Sequence, residues 1–364
     1  VTPPLSAALV ARTRGIAEPR WSSGGALWLE SFAGRAEVML LPDGGLRAPV
    51  ALTARTGVKP VAAYGGGAYD VAANGIVAYA SPDGRLLTSA GAVLCRDGRV
   101  SAPAISPDGT RVAFMVEQEE SCDIAVAPLD GSAWPVRISH GADYAFDPVW
   151  SPDSTTVAWH EWDFPNMPWD GSRIVAHAVD GLRPDGELRY IAGGDDVGVG
   201  QPRYAPDGSA VAFLSDEGGW NTVRVARPDG RRARPLLDEA REQGEPSWGP
   251  GQRSFVWSPD ARAIAFCRNE DGFGRLVLAP LGRGKPRELG KGWHHALSWR
   301  AGSARDGEIL AVRSGAVTPP EIVAVPVDGG ARRQLATGAP AGLADPAVEP
   351  EPIAWKGADR ATVH

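Results

Sequence analysis

The span from Glu161 to Gly171, EWDFPNMPWDG, crowds chemistry-bearing side chains together. Trp162, Phe164 and Trp169 could wall an apolar pocket. Asp163 or Asp170 could meet a polar ligand end, and Asn166 offers an amide beside them. Pro165 and Pro168 stiffen the backbone, which lowers the entropy lost on binding. The same residues would also serve a loop packed on itself and on a neighbouring domain, with the carboxylates capping backbone amides. Both readings stay open here. Glu30, Arg35 and Tyr64 complete the candidate substrate-binding set, with a solvated pair as the plain reading of Glu30 and Arg35.

No catalytic motif accompanies this loop. The sequence has no G-x-S-x-G, H-E-x-x-H, Walker loop or G-x-G-x-x-G. YGGGAY, from Tyr64 to Tyr69, leads into a strand pattern and so lacks the helix N-terminus that would cradle phosphate. His294 and His295 are adjacent, and neighbours on a strand point to opposite faces. Cys95, Cys122 and Cys267 are far apart and read as free thiols. No catalytic residue, metal site or cofactor is therefore expected within this chain. A net charge of −7 without a Lys/Arg cluster argues against nucleic acid. No apolar run reaches transmembrane length and no signal-peptide pattern is visible. Together with the thiols this suggests a cytoplasmic protein, with secretion left open.

The elements that must position the loop are repetitive. AISPDGTRVAF starts at Ala104, VWSPDSTTVAW at Val149, RYAPDGSAVAF at Arg203 and VWSPDARAIAF at Val256, spaced by 45, 54 and 53 residues. Proline presets φ in the Ser-Pro-Asp-Gly turn, aspartate hydrogen-bonds locally, and glycine takes the left-handed position. Each copy reads as a four-stranded antiparallel meander, with strands A to D, of propeller-blade length. The expected fold is all-β, a seven-bladed β-propeller. Its blades would open near Arg20, Ala68, Ala102, Asp147, Gln201, Arg253 and Ala296. In the second blade the Ser-Pro-Asp-Gly at Ser81 follows its strand, which predicts a B–C turn there. The repeat aspartates read as turn caps, not calcium ligands. Strand parity puts the A–B and C–D hairpins on one face. The B–C loops, the D-to-A crossings and both chain ends share the other, and Glu161–Gly171 is a B–C loop.

YGGGAY, DPVWSPDSTTVAW, EWDFPNMPWDG, SDEGGWN and EPEPIAW together resemble the N-terminal propeller of bacterial prolyl oligopeptidase family serine peptidases, in the acylaminoacyl-peptidase and dipeptidyl-aminopeptidase-like branch. The likeness runs from about Pro19 to Ala354. It implies an arm over 1–19, a propeller over 20–345, and over 346–364 the start of a linker to an α/β-hydrolase domain. That domain, linked or a separate chain, would be the partner and would carry the Ser-Asp-His triad. The propeller would gate access of small peptides or N-blocked aminoacyl substrates to it. Homo-oligomers are left open, and the alternative is a stand-alone binding or scaffolding module. Family members commonly read His-Glu-Tyr-Gly-Gly-Gly where this chain has Ala62-Ala63-Tyr64-Gly65-Gly66-Gly67. They commonly read Asp-His-Pro where it has Asp163-Phe164-Pro165. These departures imply weak discrimination between free and blocked amino ends.

Overall fold

A computed structural model of the chain describes residues 6–44, 48–58, 66–96, 98–119, 121–300, 306–341 and 350–363. The first sheet comprises Gly15–Ser22, Gly25–Phe32, Arg35–Pro42 and Val50–Ala51. A second holds Tyr69–Val71, Val77–Ala80, Leu86–Thr88 and Val93–Cys95. Three more four-stranded sheets begin at Val199, Phe255 and Trp293. Consecutive strands pair antiparallel, so each sheet is a meander in chain order.

The expected seven separate blades are corrected to five among the described residues, beside one larger sheet. The strands from Arg99 to Arg137 and those from Tyr144 to Gly194 form one eight-stranded sheet. A single parallel pairing, Cys122 with Tyr144, joins them. Turn repeats count meanders and are blind to such a join, because nothing in a hairpin sequence records which neighbouring strand lies within hydrogen-bonding distance. A two-stranded ribbon, Trp355–Lys356 with Thr362–Val363, follows.

The repeat turns are built as their chemistry requires. The Ser106 hydroxyl donates to Asp108 at 2.6 Å and accepts from the Arg111 amide at 2.9 Å. Ser151 with Asp153 and Ser258 with Asp260 repeat the contact at 2.5 and 2.7 Å. The Ser81 turn lies between the second and third strands of its sheet. Behind these turns the Val/Ile-Ala-Phe strands bury Phe114, Phe213 and Phe266 between neighbouring sheets, and Val-Ala-Trp buries Trp159 between the two halves of the eight-stranded sheet.

First strands meet one another around the axis. Five of them carry a β-bulge whose lead residue has positive φ: Glu18, Ala102, Asp147, Gln201 and Ala296, between 46° and 55°. A bulge leaves an amide outside the ladder, and proline takes the next position in four cases, as Pro19, Pro103, Pro148 and Pro202. The ring closes where Ile16, Ala26 and Trp28 pack against Leu310, Val312 and Ile322 of the last four-stranded sheet. Trp21 adds an indole bond to the Glu308 carbonyl at 3.1 Å. Chain entry and exit adjoin, since the Arg14 amide donates to the Gly338 carbonyl.

Candidate functional site

The Glu161–Gly171 loop is held by its own polar groups. Trp162 is buried, stacked on Tyr144 with ring centres 5.2 Å apart and set edge-on to Phe146 at 4.7 Å. Asp163 accepts from Arg173 at 2.6 Å and from the Asp143 amide at 3.0 Å. Burial acts to raise its pKa, but these donors together hold the carboxyl below its ordinary range. Asn166 donates to the Asp195 carbonyl, and Asp170 accepts from the Met167 amide. Phe164, 78% exposed, stands out from the surface. Trp169 turns inward instead and meets Trp248 at 4.8 Å. Glu30 pairs with Arg14 and accepts from the Trp28 indole, and Arg35 pairs with Glu37 and reaches the Ala54 carbonyl. Tyr64, with Ala62 and Ala63, lies outside the described residues.

Trp169 borders a cavity of about 880 Å³. Its walls come from the starts of first strands (Val199, Gly200, Trp293, His294), the ends of second strands (Leu214, Cys267, Ser314) and the crossing Glu242–Ser254. By strand parity these all belong to the B–C face, with the chain ends. The sequence reading pointed to that face but not to this cavity, nor to Asp216, Glu242, Glu245 or Arg253 on its wall. A usable signal existed: EQGEPSWGPG, residues 242–251, repeats the aromatic, acidic, Pro/Gly-stiffened composition of the 161–171 loop. Close approach of backbones shapes the floor. A Cβ on Gly66 would sit 2.2 Å from the Pro250 oxygen, and one on Gly251 would sit 2.4 Å from the Gly67 Cα. Only glycines let these two crossings touch.

The cavity is electronegative and partly aromatic. Glu242 accepts from the Asn221 amide at 2.8 Å, and Asp216 from the Gly198 amide at 2.9 Å. Burial pushes the Glu242 carboxyl up, and Asp216 adds to that. A desolvated carboxylate beside indole rings favours an ammonium ligand through a charge-assisted bond and cation–π attraction. His294 bonds the Gly292 carbonyl through Nδ1 at 2.9 Å, which leaves its buried Nε2 without a partner. Burial drops its pKa to about 4. Burial lifts the Cys267 thiol to about 11, so it carries no thiolate at neutral pH. Neither group is a nucleophile–base couple. Among the described residues no His/Cys/Asp/Glu group is arranged to hold a metal, and no helix is long and apolar enough to cross a membrane.

No protein-family profile matches the chain. It is 25% identical over 201 residues to the uncharacterized peptidase YuxL of Bacillus subtilis (strain 168), across 52% of this chain and 26% of that protein. A puromycin-hydrolyzing peptidase of Mycobacterium tuberculosis superposes with a TM-score of 0.79 at 24% identity, covering 92% of this chain and 55% of the other. For a puromycin hydrolase the TM-score is 0.82 at 24% identity, over 100% and 60%. Prolyl oligopeptidase B of Galerina marginata reaches 0.65 at 11% identity, over 97% and 54%. The chain thus spans about a quarter of its curated relative and under two thirds of these solved chains. In fold, it is similar to the propeller part of peptidases of the prolyl oligopeptidase family.

Proposed function

We propose that this chain is the substrate-gating propeller of a serine peptidase or related amide hydrolase, with its catalytic triad in an α/β-hydrolase domain outside the present sequence. One observation carries the reading: an acidic, tryptophan-walled cavity opens on the face where both chain ends leave the ring. A domain attached there would cover the cavity, and a ligand in it would face that domain. The wall contributes binding groups and no nucleophile, which fits a division of labour between two domains.

Substrates of this reading are short peptides or aminoacyl amides with a free amino end. Alanine at position 63 stands where the family resemblance implies a carboxylate, and Glu242, Asp216 and Glu245 offer carboxylates on the cavity wall. Puromycin, acted on by two of the similar proteins, has this chemistry: a primary amine, an aromatic ring and an amide. Matched aminoacyl and N-acetyl-aminoacyl anilides, assayed with the complete protein, test the proposal. Hydrolysis of the free amine at a higher kcat/KM, with serine-directed fluorophosphonate labelling outside residues 1–364, is the expected result. Labelling within this chain, or a complete protein that binds these amides without cleaving them, overturns it and leaves a binding module.

A further inference from the structure

A second cavity, of about 120 Å³, lies on the ring axis beside the first, and Gly251 and Arg253 border both. Its walls are charged in the opposite sense. Arg20, Arg203 and Arg253 face it, against Asp70 and Asp147. Those carboxylates are already engaged. Asp147 takes Arg203 at 3.0 and 3.5 Å, and Asp70 accepts from the Ile105 amide at 2.9 Å. A third carboxylate, Glu18, sits just across the glycine floor. Its oxygens accept from the Ala68 amide at 3.2 and 2.9 Å. Burial raises its pKa in spite of Arg20.

Two guanidiniums therefore lack carboxylate partners. Arg20 is 4% exposed, spends one nitrogen on the Pro19 carbonyl at 2.9 Å, and has a buried Nε with no partner. The Arg253 Nε is likewise buried and unpartnered. Burial, then repulsion from Arg20 and Arg203, pushes Arg253 below the ordinary guanidinium range. Unmatched buried donors of this kind are costly unless something accepts from them. Guanidinium forks suit planar oxyanions, which they bind by paired N–H···O contacts. The volume admits a carboxylate group or a phosphate with a few waters.

We propose that this axial cavity is an anion site, held by Arg20 and Arg253 with Arg203 behind them, that takes a carboxylate or a small inorganic oxyanion. It does not rest on the peptidase reading. Where the anion is a peptide's terminal carboxylate, the two adjoining cavities sort a short peptide by charge.

Calorimetric titration of the 364-residue chain with sodium phosphate and sodium acetate, in a zwitterionic buffer without added salt, tests the site. Saturable binding is expected, weakened about tenfold or more in Arg20→Gln and Arg253→Lys, as loss of one charge-assisted contact requires, and unchanged in the exposed control Arg231→Gln. Chloride NMR line broadening in the parent, reversed by phosphate, gives a readout that needs no variant. Glycylglycine and its amide separate the sources: binding of the acid alone assigns a peptide carboxylate, and binding of inorganic ions alone assigns a free anion. Absence of saturable binding in the parent, or equal binding in folded Arg20→Gln and Arg253→Lys, overturns the proposal.

Discussion

Residues 161–171 and 241–251 have similar compositions and opposite fates. Both combine tryptophan, carboxylates, prolines and glycine. In the first, Arg173, the Asp143 amide and the Met167 amide consume the carboxylates, and Trp162 sinks into an aromatic cluster. In the second, Glu242 takes the Asn221 amide and still borders open space, together with Glu245 and the neighbouring prolines. The regions meet at Trp169 and Trp248. Composition marks a loop as unusual. Whether its polar groups find partners within the fold decides whether they stay free for a ligand.

Substitutions should separate the two regions. The largest effect is expected from Trp162→Ala, which empties a buried indole site and should cost about 3–5 kcal/mol of stability, read from urea unfolding. Ligand affinity in the surviving folded fraction should stay within about twofold. A large loss of affinity without a loss of stability would instead make Trp162 a binding residue.

Acid titration comes next. His160 lies beside Trp162 and His294 on the cavity wall, and burial holds each at about 4. In the unfolded chain both protonate near 6.5, so between these values the unfolded state binds more protons. Stability is then complete above about pH 6.5 and falls as the pH drops towards 4, by up to about 3 kcal/mol per histidine. His160→Gln should remove roughly one proton from the slope. A cationic ligand in the larger cavity should shift the titration of His294 and leave that of His160 in place, measured by imidazole NMR.

On the proposed function, Glu242→Gln should lower kcat/KM of the complete protein for free-amine substrates about 10- to 30-fold, or about 1.4–2 kcal/mol. N-acetylated substrates should change little, and Asp163→Asn should not reproduce the effect. Equal losses on both substrates would show that Glu242 does not read the amino end. Trp169→Ala should have the smallest effect, a rise in KM of about three- to tenfold with kcat nearly unchanged, since one face of the cavity loses its aromatic lining.

Much of the frame was legible because turn chemistry is local. Ser106, Asp108 and Gly109 find one another within four residues, so their spacing reports a hairpin whatever surrounds it. Parity along the strands then gave the face that holds the loops. The partners of Asp163 were not legible, because Arg173 lies in the following strand and the Asp143 amide just ahead of the strand that starts at Tyr144. Nor was the cavity: its wall over 238–251 has no regular strand, and its emptiness depends on Gly66, Gly67 and Gly251 meeting across the ring. The merging of two meanders through Cys122 and Tyr144 escaped for the same reason.

Closure of the ring has a consequence for how the chain folds. Among the described residues no strand of the first sheet pairs with a strand of the last four-stranded one, and the seam is shut by side chains such as Trp28 and Leu310, and by scattered bonds such as Trp21 to Glu308. Those partners are separated by 282 and 287 positions along the chain. Bringing such distant segments together is entropically expensive and yields contacts only at the end. Each meander can form on its own hairpins, whereas the seam has to await both its first and its last sheet. Closure is thus expected to be the slow, late event of folding, and opening the ring at a hairpin elsewhere while joining this seam through a short linker should speed refolding, as stopped-flow fluorescence would measure.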